Sequence, residues 1–321
     1  LINSIELLMI GVEEPNTMQI DVHQHIWTGS LLGALSARRC LPFVRRTEEK
    51  LTVLHSASEQ PYVIDLTTEA PAARTELLRA DRADRAVIAI SSPIGIESLP
   101  YGEARELIAA HLDGVLGLGD AFAAWGPLAV EPDPADVDEL IARGCVGVSL
   151  PATAVTGART LDRLGLALER VQDLGVPLFI HPGGTGDAGA LEASLTEPLW
   201  WRALTDYVSQ MQAAWLTFAT YGRRQLPRLR AVFAMLAGGG PLLSERLAAR
   251  GGPPVDLRDP LTFYDTSSYG PQVVEAMARL VGPRQLLYGS DRPVIEPVRT
   301  GREVELMSNA AELLRPAVVP V

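Results

Sequence analysis

The stretch Ile20-Asp21-Val22-His23-Gln24-His25-Ile26 sets an acid and two imidazoles at every second position of an apolar segment. Side chains of a β-strand alternate faces, so the pattern predicts Asp21, His23 and His25 on one side and Ile20, Val22, Gln24 and Ile26 on the other. Two unprotonated imidazoles on one face have few structural uses, and the pair suits a divalent metal. Asp21 is expected as an outer acid behind them, since a ligating histidine needs its second nitrogen fixed, or as a structural acid.

Working outward, residues 18–26 are the first of eight apolar runs. The others are RAVIAIS (85–91), GVLGLGDAF (114–122), CVGVSLP (145–151), VPLFIHP (176–182), LRAVFAML (229–236), LTFYDTSS (261–268) and RQLLYGSD (284–291). Amphipathic stretches lie between them. In RTLDRLGLALERVQDLG, Thr160 or Asp162 is expected to start a helix and Gly175 to end it. Asp133-Pro134 is a second helix start. Near-continuous apolar strands alternating with helices predict a parallel sheet covered by helices, and eight units favour closure into a (β/α)8 TIM barrel. Residues 27–62 read as an insertion after strand one and 182–228 as a long connection after strand five. The barrel is expected to occupy 18–321 as one domain. Residues 1–17, ahead of Met18, are expected to be an extension.

Three of the five histidines fall on these strands: His23 and His25 on the first, and His181 at the end of the fifth. Asp291 ends the eighth. Strand-terminal residues of a closed barrel converge on one face, so these four make a ligand set for zinc, iron or manganese with room for water or substrate.

The DVHQH, FIHPGG and YGSDRP segments resemble the amidohydrolase superfamily, and within it the branch that includes aminocarboxymuconate-semialdehyde decarboxylase and γ-resorcylate decarboxylase. The resemblance runs from about residue 18 to 297. It implies that His23, His25, His181 and Asp291 hold one catalytic metal and that Asp291 also serves as a base toward metal-bound water. Two departures stand out. The bridging lysine of binuclear relatives has no counterpart, because the only lysine is Lys50 and the fourth strand carries Ser149 and Leu150. Asp120 and Asp265 remain as carboxylates for a second metal, beside a plainer reading as a helix cap or core-edge hydrogen-bonder. The sixth-strand histidine of the family is replaced by Met235, whose thioether cannot usefully carry a proton. His55 in the first insertion is a substitute to weigh, beside its reading as a solvated loop residue.

Arg38, Arg39, Arg45 and Arg46 form the one basic cluster and, with Arg292, are candidates to clamp a substrate carboxylate or phosphate. The alternative is a solvated surface. Trp27, just past the first-strand ligands, is placed with them as a substrate contact. His111 is read as structural, as a cation that suits a helix C-terminus. Gly184 to Gly189 matches G-x-G-x-x-G but is read as an active-site loop. The aromatic-rich stretch 200–221 suggests helix packing or a homodimer contact.

A net charge of −11, from 28 basic and 39 acidic residues, argues against nucleic acid and anionic membrane as partners. No apolar run approaches the ~20 residues of a membrane span. Two cysteines, Cys40 and Cys145, give no disulfide framework and point to a reducing cytoplasm, each as a small buried hydrophobe. The leading expectation is a hydrolase of an amide, ester or lactone of a small organic acid, working through water activated by one divalent metal, zinc first. A non-oxidative decarboxylase is the alternative, followed by an iron oxygenase and a retired binding barrel.

Overall fold

The computed structural model describes residues 17–183 and 197–315. Strand β1 (Ile20–Gln24) leads through α1 (Gly29–Ala37) into three short strands, β2 (Phe43–Arg46), β3 (Thr52–His55) and β4 (Tyr62–Ile64). These three form a separate antiparallel sheet, which is what most of the expected first insertion becomes. The chain then alternates through α2 (Pro71–Asp81), β5 (Arg85–Ile88), α3 (Tyr101–Leu116), β6 (Phe122–Pro127), α4 (Pro134–Ala142), β7 (Gly147–Pro151), α5 (Ala158–Asp173) and β8 (Leu178–His181). The longer elements that follow are α6 (Asp206–Thr217), β9 (Ala231–Phe233), β10 (Thr262–Asp265), α7 (Pro271–Val281), β11 (Leu286–Leu287) and α8 (Glu303–Leu313).

Strands β1 and β5 to β11 hydrogen-bond in that order, every pair parallel. The seam between the last and first strands is closed by backbone bonds. Val22 N–H donates to Tyr288 O (2.9 Å), Asp291 N–H to His23 O (2.9 Å) and His25 N–H to Arg292 O (2.7 Å). The result is the (β/α)8 barrel that the strand rhythm predicts. Inside it, Trp125 stacks on Phe179 at 5.2 Å between ring centroids, and Trp125 Nε1 donates to Val22 O at 2.8 Å. Each ring removes ~200 Å² from water, a contribution of about 5 kcal/mol.

Three local expectations are corrected. The third barrel strand is β6, not 114–122. Leu107, Ile108, Leu112 and Val115 keep a helical apolar stripe running to Leu116, and Gly114 lets α3 close on Thr28, where a Cβ would meet Thr28 Oγ1 at 2.0 Å. Helix α5 starts at Ala158 behind Gly157 rather than at Thr160 or Asp162, and Thr160 Oγ1 instead donates to Gly157 O. In β1 the strict alternation fails. Its register against β5 slips between Asp21 and Gln24, three residues spanning what two span opposite. The slip sets Asp21 beside Gln24, whose Nε2 it accepts at 2.7 Å, instead of beside the two histidines. By contrast α4 starts at Pro134 as expected, with Asp133 and Asp136 forming a reciprocal capping box.

Cys145 is buried, and its thiol is pushed up to about 12 by that burial. Cys40 is exposed, against expectation. Among the described residues no helix is long and apolar enough to cross a membrane.

Candidate metal centre

His23, His25, His181 and Asp291 each bring one ligand atom to a common point, all within 4.8 Å of one another. The ends of β1 and β8 and the turn after β11 deliver them. The three imidazole rings lie 4.9 to 5.0 Å apart and nearly perpendicular, at 87° to 90°. His23 Nε2 and His25 Nε2 are 3.2 Å apart, and Asp291 Oδ1 lies 3.2 Å from His25 Nε2 and 3.6 Å from His23 Nε2. The histidines are buried, whereas the Asp291 side chain keeps 17% exposure and so forms the open side of the group.

The outer partners decide which ring nitrogens are free. His25 Nδ1 bonds Ala89 O at 2.9 Å and His181 Nδ1 bonds Pro182 O at 2.8 Å. A carbonyl oxygen only accepts, so both Nδ1 atoms carry the proton and both Nε2 atoms present lone pairs. His23 Nδ1 bonds Asp265 Oδ2 at 2.8 Å, which directs its Nε2 inward in the same way. Three lone pairs and a carboxylate oxygen facing one another are mutually repulsive unless a cation sits among them. This donor set therefore fits a divalent metal held by nitrogen and oxygen.

The electrostatics agree. Burial resists charge on His23, yet Asp265, then Asp291 and Asp21, outweigh it and raise the imidazole to about 9. Burial, followed by His23 and His25, drives His181 well below its ordinary value. Burial would raise Asp265, but His23 and the bonds from Ser267 hold it below the usual carboxylate range. The carboxylates thus favour positive charge at the His23 end of the group, while burial and the neighbouring imidazoles disfavour it at His181.

Asp265 touches more than His23. Its Oδ1 accepts from Met235 N–H (3.1 Å), Ser267 N–H (2.9 Å) and Ser267 Oγ (2.5 Å). After β9 the backbone runs through five left-handed residues, Met235 to Gly239. Asp265 holds the first of them, and Gln212 Nε2 on α6 donates to Gly238 O at 2.8 Å. Its position fits an acid that orients a ligand rather than one bridging two metals. This partner role was missed in the sequence; the Asp-Thr-Ser run closing a strand was the available signal.

The remaining candidates are placed as follows. Asp120 does not reach inward: it is exposed in the turn before β6, where its carbonyl accepts from Arg85 Nε at 3.0 Å. Asp21 accepts the backbone N–H groups of His23 and Ser290, both at 3.1 Å, and so pins the first strand to the last. Arg292 turns from the metal-capable group: Nε bonds Asp81 Oδ2 at 3.0 Å and Nη1 bonds both Glu296 oxygens, at 3.0 and 2.9 Å. Arg45 lies over the Phe43 ring at 4.4 Å and donates to carbonyls of Ser36, Val44 and Arg38; Arg39 and Arg46 are exposed. Arg38 pairs with Glu103 at 2.9 Å. None of these guanidinium groups joins the four metal-capable residues. His55 stacks on Phe43 in the small antiparallel sheet. Trp27 is buried; its N–H donates to Glu69 Oε2 at 2.8 Å, and its ring shares a recess with His25 and His111.

His111 is structural, as expected, but as a buried neutral ring rather than a terminal cation. It lies inside α3, is 1% exposed, and burial followed by His25 pushes it down to about 3. Residues 184–189 lie outside the described residues. Of the aromatic stretch, Trp215 packs inside and donates to Tyr264 Oη at 3.0 Å, whereas Trp200, Trp201 and Tyr221 are exposed. Tyr207, another aromatic of that stretch, bonds Glu59, which faces Arg202 at 2.9 Å. Burial, Glu59 and the Asp291 carboxylate raise its phenol well above the ordinary value.

A (β/α)8 barrel with three imidazoles and an aspartate converging at its strand ends is the architecture of a metal-dependent barrel enzyme. A family model described as amidohydrolase matches residues 20–317, and the chain belongs to that family. No curated protein matches it by sequence. Solved structures share the fold at low identity. The IDCase of Metarhizium anisopliae, in apo form, is 18% identical with a TM-score of 0.70 over 93% of this chain and 92% of that one. The 5-carboxyvanillate decarboxylase of Novosphingobium aromaticivorans, with bound manganese, is 15% identical with a TM-score of 0.66 over 94% and 97%. The 2,6-dihydroxybenzoate decarboxylase of Rhizobium is 16% identical with a TM-score of 0.65 over 93% and 99%.

Proposed function

We propose that this enzyme is a metal-dependent, non-oxidative decarboxylase of a small carboxylic acid, a hydroxybenzoate being the first class to try. This replaces hydrolysis as the leading reading. The observation that carries it is the pairing of a metal-capable group of three histidines and an aspartate with Met235 in the turn just past the sixth barrel strand. Removing carbon dioxide needs a held carboxylate and one delivered proton, and it requires no attacking water and no base for that water. The decarboxylases among the structural neighbours favour the same choice.

His23, His25, His181 and Asp291 would hold the ion, zinc or manganese, and Asp265 would keep His23 in the tautomer that binds it. The ion supplies positive charge for the substrate carboxylate when bound. Asp291, the one partly exposed member, would hand over a proton to the carbon that loses carbon dioxide: R–COO⁻ + H⁺ gives R–H + CO₂. The histidines, buried and held through their Nδ1 atoms, stay fixed throughout. A second reading keeps Asp291 as base toward water, a task its partly exposed carboxylate also suits.

The test is to incubate manganese- and zinc-loaded protein with 2,6-dihydroxybenzoate, 5-carboxyvanillate and related hydroxybenzoates, and in parallel with a panel of esters, lactones and amides. Metal-dependent release of carbon dioxide is expected from the first set. Turnover of the second set alone would overturn the decarboxylase reading and restore the hydrolase.

A further inference from the structure

The peptide that carries Asp291 also carries the barrel seam. Asp291 has a left-handed backbone (φ 57°), its N–H bonds the carbonyl of ligand His23, and the next carbonyl, that of Arg292, accepts the N–H of ligand His25 at 2.7 Å. Three of the four ligand residues are therefore coupled through the backbone of residues 291 and 292. What fixes that peptide is the Arg292 side chain. It is 9% exposed and ends on Asp81, the last residue of α2, which is 2% exposed and also accepts from Arg299 Nη2 at 2.6 Å. The second hold is Glu296, which is 86% exposed, so Asp81 is the sheltered and directional half of the clamp.

We infer that Asp81 is a positioning residue for the metal centre, acting through the Arg292 side chain on the peptide that joins Asp291 to His25. The inference rests on the reading that His23, His25, His181 and Asp291 hold a metal. Asp81 touches none of these four and lies 210 positions from Asp291 in sequence, on a helix packed outside the sheet. Its effect is therefore on how well the ligands are pre-arranged. Outer partners that bond a ligand directly change metal affinity by about 10- to 100-fold when removed, and Asp81, one link further out, belongs at the lower end of that range.

The measurement is the binding of Mn²⁺ alone to metal-stripped full chain, read by titration calorimetry and by the electron paramagnetic resonance of free Mn²⁺. Thermal unfolding of the stripped protein is recorded alongside. Asp81→Asn is expected to weaken Mn²⁺ binding by about 10-fold. Arg292→Lys, which keeps a cation for Asp81, should fall between it and wild type. A merely structural clamp is separated by the double variant Asp81→Asn/Arg292→Met, which removes both buried charges together and should regain thermal stability. On this inference the double variant still binds Mn²⁺ weakly, because the tether is gone. Asp259→Asn breaks another partly buried pair, with Arg223 at 2.7 Å, and should lower stability while leaving affinity at the wild-type value. Unchanged affinity in Asp81→Asn, or affinity recovered along with stability in the double variant, would overturn the inference. If Asp81→Asn does not fold, the double variant and Arg292→Lys decide it. Wild-type protein that takes up neither Mn²⁺ nor Zn²⁺ would instead sink the metal reading itself, and this inference with it.

Discussion

Asp265 accepts a hydrogen bond from His23 Nδ1 at 2.8 Å across 242 positions of sequence, with its other oxygen already engaged by three donors. One carboxylate thus orients a metal-capable imidazole, holds the first residue of the strained turn after β9, and closes the turn after β10.

Asp265→Asn should cost metal affinity more than stability. With one oxygen committed to Met235 and Ser267, the amide would present its NH₂ to His23 Nδ1–H. Two donors cannot bond, so the imidazole would move its proton to Nε2 and lose the lone pair that faces the ligand group. A drop of about 10- to 100-fold in metal affinity is expected, with the far-ultraviolet circular dichroism of the wild type. Wild-type affinity in this variant would show that the tautomer is set elsewhere.

Elemental analysis of protein purified without added metal should give about one divalent ion per chain, zinc or manganese, lost in His23→Ala, His181→Ala and Asp291→Asn. Two ions per chain would contradict the placement of Asp120 outside the cluster and of Asp265 behind it. Dialysis against a chelator should abolish turnover, and the ion that restores it identifies the working metal.

The barrel and its metal-capable cluster were legible because both follow from periodicity: apolar runs at regular spacing, and polar residues at strand ends. What failed was geometry that periodicity does not encode. A register slip in β1 leaves Asp21 bonded to Gln24 and the His23 backbone rather than to an imidazole, and the helical apolar stripe that carries α3 to Leu116 leaves the third strand to begin at Phe122. The arginines misled for another reason. A guanidinium reaches several ångströms, so its partner is set by the fold, and Arg45 and Arg292 ended on carbonyls and carboxylates of the scaffold.

Gly183, two residues past His181, should not tolerate a side chain. Its φ of +100° is left-handed, and an added Cβ would come within 2.6 Å of Pro93 N. Backbone cannot yield as a flexible side chain would, so Gly183→Ala should push apart the loops that follow β5 and β8. A loss of about 1–3 kcal/mol in denaturant unfolding, with weaker metal binding, is expected. A neutral result would mean that the two loops separate freely.

Glu97 offers a pH test independent of the metal. It is 1% exposed, bonds Ser92 Oγ at 2.5 Å, and burial raises its carboxyl to about 7 from 4.5. Between those values the folded protein binds the proton more tightly than the unfolded chain does. This group's contribution is therefore complete below about pH 4.5, declines as pH rises towards about 7, and is lost above it. The shift is worth about 3 kcal/mol at most. Glu97→Gln stays neutral at every pH and keeps an oxygen for Ser92, so it should be more stable than wild type at pH 8 and similar at pH 5. Melting temperatures of both proteins across that range decide it. A pH-independent difference between them would mean that Glu97 is ionised in the folded state and that solvent or a cation reaches it.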